Sequence, residues 1–122
     1  MLLRLLACAY VLAIVVLSLA PRAPSAGIRV NDKLQHAGAY MVMSVLVFAS
    51  LGSSVSLSRR LVIVLIACTL LGVGIELVQP ATGRTADASD ALANAGGASL
   101  GCLLVLAIRA VGRWLIRRGR RT

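Results

Sequence analysis

Acidic residues are scarce in this chain: Asp32, Glu76, Asp87 and Asp90 are the whole set, against thirteen Lys and Arg. Charged residues of both signs reach only 14%, where a soluble domain carries about 25%. That shortage excludes a soluble globular domain, and the oily composition excludes a disordered chain. Cysteine is limited to Cys8, Cys68 and Cys102, an odd set with no C-x-x-C pair, each inside an apolar run. Small buried hydrophobes are the expectation for them, with neither a disulfide framework nor a zinc site. Histidine occurs once, as His36. H-E-x-x-H and paired-histidine motifs are therefore excluded, and neither a metal nor a cofactor is expected. No G-x-S-x-G elbow, internal repeat or low-complexity segment occurs.

What the chain has in excess is oil: 59% of its 122 residues are hydrophobic and its mean hydropathy is +0.91. Spans of about 20 residues fit at 2–20, 34–51, 61–79 and 91–111. The expected fold class is all-α, a polytopic membrane protein with four transmembrane helices in an up-and-down bundle. Residues 1–122 form a single domain with a basic tail at 112–122.

Charge orients the bundle. Arg4, Arg59, Arg60, Arg109, Arg113, Arg117, Arg118, Arg120 and Arg121 fall on one side of such a bundle, and Arg22, Arg29, Lys33 and Arg84 on the other. The richer side is expected to be cytoplasmic, which makes the chain N-in and C-in. All four acids lie at the opposite, extracytoplasmic helix ends. The basic tail, with Trp114 as interfacial anchor, is expected to meet anionic lipid headgroups at about 1 kcal/mol per basic residue. The net charge of +9 is thus assigned to the lipid bilayer, and no nucleic acid partner is expected.

Residues 1–26 share features with a secretory signal. The run Leu5–Ala20 is long for one, however, and Pro21 spoils cleavage after Ala20, so retention as the first span is expected. Pro21, Pro24 and Gly27 then make an extended outer loop. Ser56 or Ser58 is available to cap the third helix, Pro80 and Gly83 end it, and Asp87 is suited to cap the fourth.

Small residues recur where helices need to approach. Ala93, Gly97 and Gly101 form a stripe every four residues, and Gly72 and Gly74 stand in the third span. Contact within the chain is expected, with an oligomer as the alternative. Polar residues share the same faces. Asp32, His36 and Tyr40 are spaced by four, with Lys33 beside them; Glu76 and Gln79 are spaced by three. Asp87, Asp90 and Asn94 continue into Gly97 and Gly101. Ionisable groups in spans are costly and mark functional sites. A structural network tying helix ends together would use the same residues.

Three blocks carry a resemblance: D-K-L-Q-H-A-G-A-Y from Asp32, G-V-G-I-E-L-V-Q from Gly72, and G-R-T-A-D-A-S-D-A-L-A-N-A-G-G-A-S-L-G from Gly83. Over residues 30 to 105 the chain resembles the VanZ-like family, small bacterial membrane proteins named for a member associated with teicoplanin resistance. The resemblance implies a bacterial plasma membrane location and carries over Asp32, Lys33, His36, Tyr40, Glu76, Gln79, Arg84, Asp90, Asn94 and Gly97. From these residues an extracytoplasmic pocket is expected, binding or acting on a lipid-linked or glycopeptide-like envelope ligand, with Tyr40 on its floor. Catalysis is the alternative, with His36, Glu76 and Asp90 as candidates. A small proton-coupled exporter ranks third, because nothing ionisable enters the cytoplasmic half.

Overall fold

The computed structural model describes residues 1–20 and 31–120. Among them are four α-helices and no strand: α1 (Leu2–Leu19), α2 (Asp32–Ser50), α3 (Leu57–Val78) and α4 (Ala88–Gly119). A short 3₁₀ turn, Gln79–Thr82, joins α3 to the loop before α4. Pro21, Pro24 and Gly27, and the charges Arg22, Arg29 and Arg121, lie outside the described residues.

Local chemistry sets the helix ends. α2 starts at Asp32, ahead of the expected boundary, because Asn31 Oδ1 accepts the Lys33 N–H at 3.1 Å and satisfies a free first-turn donor. Ser56 sits at the N-cap of α3, but its side chain makes no capping bond; its carbonyl accepts the Arg60 N–H at 3.0 Å. Ser58 is already inside the helix, so neither serine supplies the expected cap. Pro80 brings no N–H to the 3₁₀ turn, and Gly83 closes it at φ +78°, which a side chain would disfavour. Asp87 caps α4, its Oδ1 accepting the Ser89 N–H at 2.8 Å.

α4 runs to Gly119, well past the expected end at 111. Its basic end is rich in good helix formers and holds no proline, so nothing stops it. At 32 residues it measures about 48 Å, against about 30 Å for a hydrocarbon core.

The helices alternate in direction. At one end Arg4 Nε reaches the Ser50 carbonyl at 3.4 Å, bringing the start of α1 to the end of α2. At the other, Gln79 Nε2 donates to the Ser18 carbonyl at 3.1 Å, and Glu76 accepts from Asp87 N at 3.0 Å. α2 and α4 run parallel and share the closest interface. A Cβ on Gly97 would lie 2.7 Å from the Ala37 carbonyl carbon, and one on Gly101 would lie 2.5 Å from the Met41 carbonyl oxygen. Backbone fills that face, so α2 and not a second copy packs on it. On the other side of α4, a Cβ on Gly72 would lie 3.1 Å from the Asn94 side chain; Ala93 is half-buried.

Tyr40, Met43, Phe48, Val64, Cys68, Ala98, Cys102 and Val105 form the core. Cys8 is exposed, contrary to the expectation that all three cysteines are buried. Large apolar side chains also cover the outside, among them Leu12, Leu17, Leu70, Leu77, Leu92 and Leu103. Such a surface belongs in lipid rather than water. α1, the segment Leu57–Thr82 and α4 are long and apolar enough to cross a membrane. α2 is not in that set, because Asp32, Lys33, Gln35 and His36 crowd its first turns.

Candidate functional site

Helix capping and close packing together build a polar end on an apolar bundle. The first turns of α2 and α4, the last turn of α3 and the Gly83–Asp87 loop meet there because glycine brings α2 and α4 into backbone contact. Side chains near Gly97 on both helices are thereby forced together.

His36 is the hub. Its Nδ1 lies 3.0 Å from Asn94 Oδ1, and its Nε2 lies 3.5 Å from Asp90 Oδ2. An amide oxygen only accepts, so Nδ1 is the donor and carries the proton. The side chains of His36 and Asp90 are 10% and 11% exposed, so water screens their interaction poorly. Asp32 completes the group: one ligand atom each from Asp32, His36 and Asp90 lie within 4.8 Å of one another.

Lys33 lies on the opposite flank. Its Nζ sits 3.3 Å from Asp87 Oδ2 and 3.5 Å from Asp90 Oδ1, and it also contacts Ser89 Oγ. Asp87 additionally accepts the Ser89 hydroxyl at 2.6 Å. The Ser89 hydroxyl and amide, with Lys33 adding to them, hold the Asp87 carboxyl down at about 2.

Glu76 and Gln79 face the backbone. Glu76 Oε2 accepts the Asp87 N–H, and Gln79 Nε2 donates to Ser18 on α1. Both are buried and tie helix ends together. Among the described residues, Glu76 Oε1, Tyr40 Oη and Asn94 Nδ2 are buried without a hydrogen-bond partner.

A cavity of about 330 Å³ opens between α1 and α2, lined by Asp32, Gln35, His36, Tyr40, Arg84 and the α1 residues Ile14, Leu17 and Ser18. Four of the residues expected at a pocket, Asp32, His36, Tyr40 and Arg84, line it directly. Lys33, Glu76, Gln79, Asp90 and Asn94 are not among its lining residues; they stand behind or beside it. Arg84 bridges to α1, its Nη1 reaching the Leu17 carbonyl at 3.4 Å.

Sequence reasoning missed the wall supplied by α1, a largely apolar helix in which Ser18 is the one polar residue lining the cavity. A further signal was Tyr10, whose hydroxyl donates to the Ala39 carbonyl at 3.2 Å and pins α1 to α2. It also missed Ser89, which Asp87 two residues earlier could have signalled as a capping partner.

No curated protein and no solved structure matches the chain. The VanZ/LLP1 family model matches residues 6–109. That stretch takes in the glycine contact between α2 and α4 and every residue gathered at the polar end, and the chain belongs to the VanZ/LLP1 family.

Proposed function

We propose that this VanZ/LLP1 protein crosses the bacterial plasma membrane four times with both termini in the cytoplasm, and that its polar end opens outward to bind the head of a lipid-linked envelope ligand. The excess of arginine at the opposite end supports the orientation. Polar residues at the start of α2 are tolerable in a span because they turn inward or lie at headgroup depth.

The cavity between α1 and α2 carries the ligand assignment. Its volume of about 330 Å³ lies at the low end of small-ligand sites. It suits a phosphate- or sugar-sized group and is too small for a whole glycopeptide, which favours the lipid-linked ligand of the two. Arg84 supplies a planar donor for phosphate, and Asp32, Gln35 and His36 supply partners for hydroxyl or amine groups. The α1 wall is mostly apolar, and Leu17 on it is 68% exposed. A hydrocarbon tail would leave across that wall into lipid.

Vesicles doped with a polyprenyl phosphate test the assignment. Binding is expected over undoped vesicles, and Arg84→Gln is expected to weaken it roughly 10-fold or more, since a hydrogen bond to a charged group contributes about 1.5–3 kcal/mol. Equal affinity for doped and undoped vesicles would overturn it. Catalysis is the second reading, favoured by His36, an imidazole beside carboxylates on the cavity wall. It would appear as turnover of the bound lipid that His36→Gln removes while binding persists. The helical basic end of α4 is proposed to rest on anionic headgroups of the cytoplasmic leaflet.

A further inference from the structure

We infer that Asp32, His36 and Asp90 form a binding site for a divalent transition-metal ion, with its open coordination position turned toward the cavity. The inference does not depend on the lipid-ligand assignment. Asn94 Oδ1 lies 3.0 Å from His36 Nδ1, and the neutral tautomer that donates to it presents the Nε2 lone pair to a metal. In that tautomer Nε2 faces Asp90 Oδ2 across 3.5 Å, and a cation between them would relieve the repulsion of the two acceptors.

The spacing also fits a metal in that role. Two ligands on a tetrahedral ion with bonds of about 2.05 Å stand about 3.3–3.4 Å apart, close to the 3.5 Å found between Nε2 and Oδ2. Asp32 supplies a third ligand atom, within 4.8 Å of the other two. A histidine whose second nitrogen donates to a carbonyl oxygen is also the ordinary second-shell arrangement of metal-bound imidazole.

The cavity beside the three residues, about 330 Å³ and lined by Asp32 and His36, leaves space for a water or ligand oxygen on the metal. One imidazole and two carboxylates suit zinc or manganese better than calcium or magnesium, which favour oxygen alone. Lys33, with Nζ 3.5 Å from Asp90 Oδ1, is a like charge that weakens the site, and its removal should tighten binding.

Zinc titration of the full chain in lipid nanodiscs, with Cys8→Ser removing the exposed thiol, is the test. One zinc per chain is expected, with His36→Gln and Asp90→Asn each weakening binding more than 10-fold and Lys33→Met strengthening it. X-ray absorption of the zinc-loaded protein should show a single imidazole among oxygen ligands. That measurement needs no variant, so it decides the matter even where a substitution unfolds the bundle. No stoichiometric binding, sulfur ligation, or affinity unchanged in folded His36→Gln and Asp90→Asn would each overturn the site. Zinc alone is the probe, so this outcome is independent of whether polyprenyl phosphate binds.

Discussion

At the scale of single residues, the polar end separates into groups that hold the fold and groups that face the cavity. Asp87 belongs to the first. Its carboxyl, held at about 2 by Ser89 and Lys33, takes up a proton less readily folded than unfolded, where the ordinary value is about 3.9. Its stabilising effect is therefore complete above the ordinary value and disappears as pH falls through about 2. Melting in detergent should show the wild-type advantage over Asp87→Asn shrinking across that window, and a difference independent of pH would contradict it. Glu76 is the second fold-holding acid. Glu76→Gln keeps an acceptor for the Asp87 N–H and should melt close to wild type, whereas Glu76→Leu leaves that donor unsatisfied and should cost about 1–3 kcal/mol. Equal melting of the two variants would show that the bond contributes nothing. The spacing of Asp32, His36 and Tyr40 was readable because one helical stripe descending from one helix end needs only a period to be seen. The cavity's share of those residues was not, since it depends on which neighbour each meets across helices.

At the scale of elements, the α2–α4 contact organises everything else. Gly97 and Gly101 lie against the α2 backbone, which has no flexible end to move aside. Gly97→Ala or Gly101→Ala should therefore cost about 1–3 kcal/mol of overpacking or more. Gly96→Ala, beside Gly97 with nothing within 4 Å of the added carbon, should be neutral. Comparable melting of all three variants in detergent would show that the two helices are not held at backbone distance. The stripe itself could be read from Ala93, Gly97 and Gly101, but its partner could not, because α3 and α2 both offer small or polar faces of suitable period. α1 was harder still. Its polar residues are few and only Ala7 is buried, so no clear periodicity distinguishes its cavity wall from its lipid face. The length of α4 was misjudged for a related reason: arginine ends a hydrophobic run without ending a helix.

At the scale of the whole molecule, two opposite ends carry two kinds of charge. Acids gather at the end with His36, and arginines at the end where α1 begins and α4 continues. Arg60 shows that these arginines are not uniformly solvated. It is 9% exposed, donates to the Phe48 carbonyl at 2.6 Å and stacks 3.9 Å above the Phe48 ring. It therefore closes the end of α2 as well as adding to the charge. Arg60→Ala consequently alters packing and topology together and would be a poor probe of orientation. The exposed Arg59, Arg109 and Arg113 are better ones, because they are not buried as Arg60 is. The orientation proposed from them places the Ser56 turn and the end of α4 in the cytoplasm, and the Arg84 loop outside. Reporter fusions after Ser56 and at Thr122 should then signal cytoplasm, and one after Arg84 the extracytoplasmic side. A cytoplasmic signal after both Ser56 and Arg84 would mean that the segment between them does not cross. Inverted signals throughout would put the polar end in the cytoplasm, away from any envelope ligand, while leaving the metal site possible to test as before.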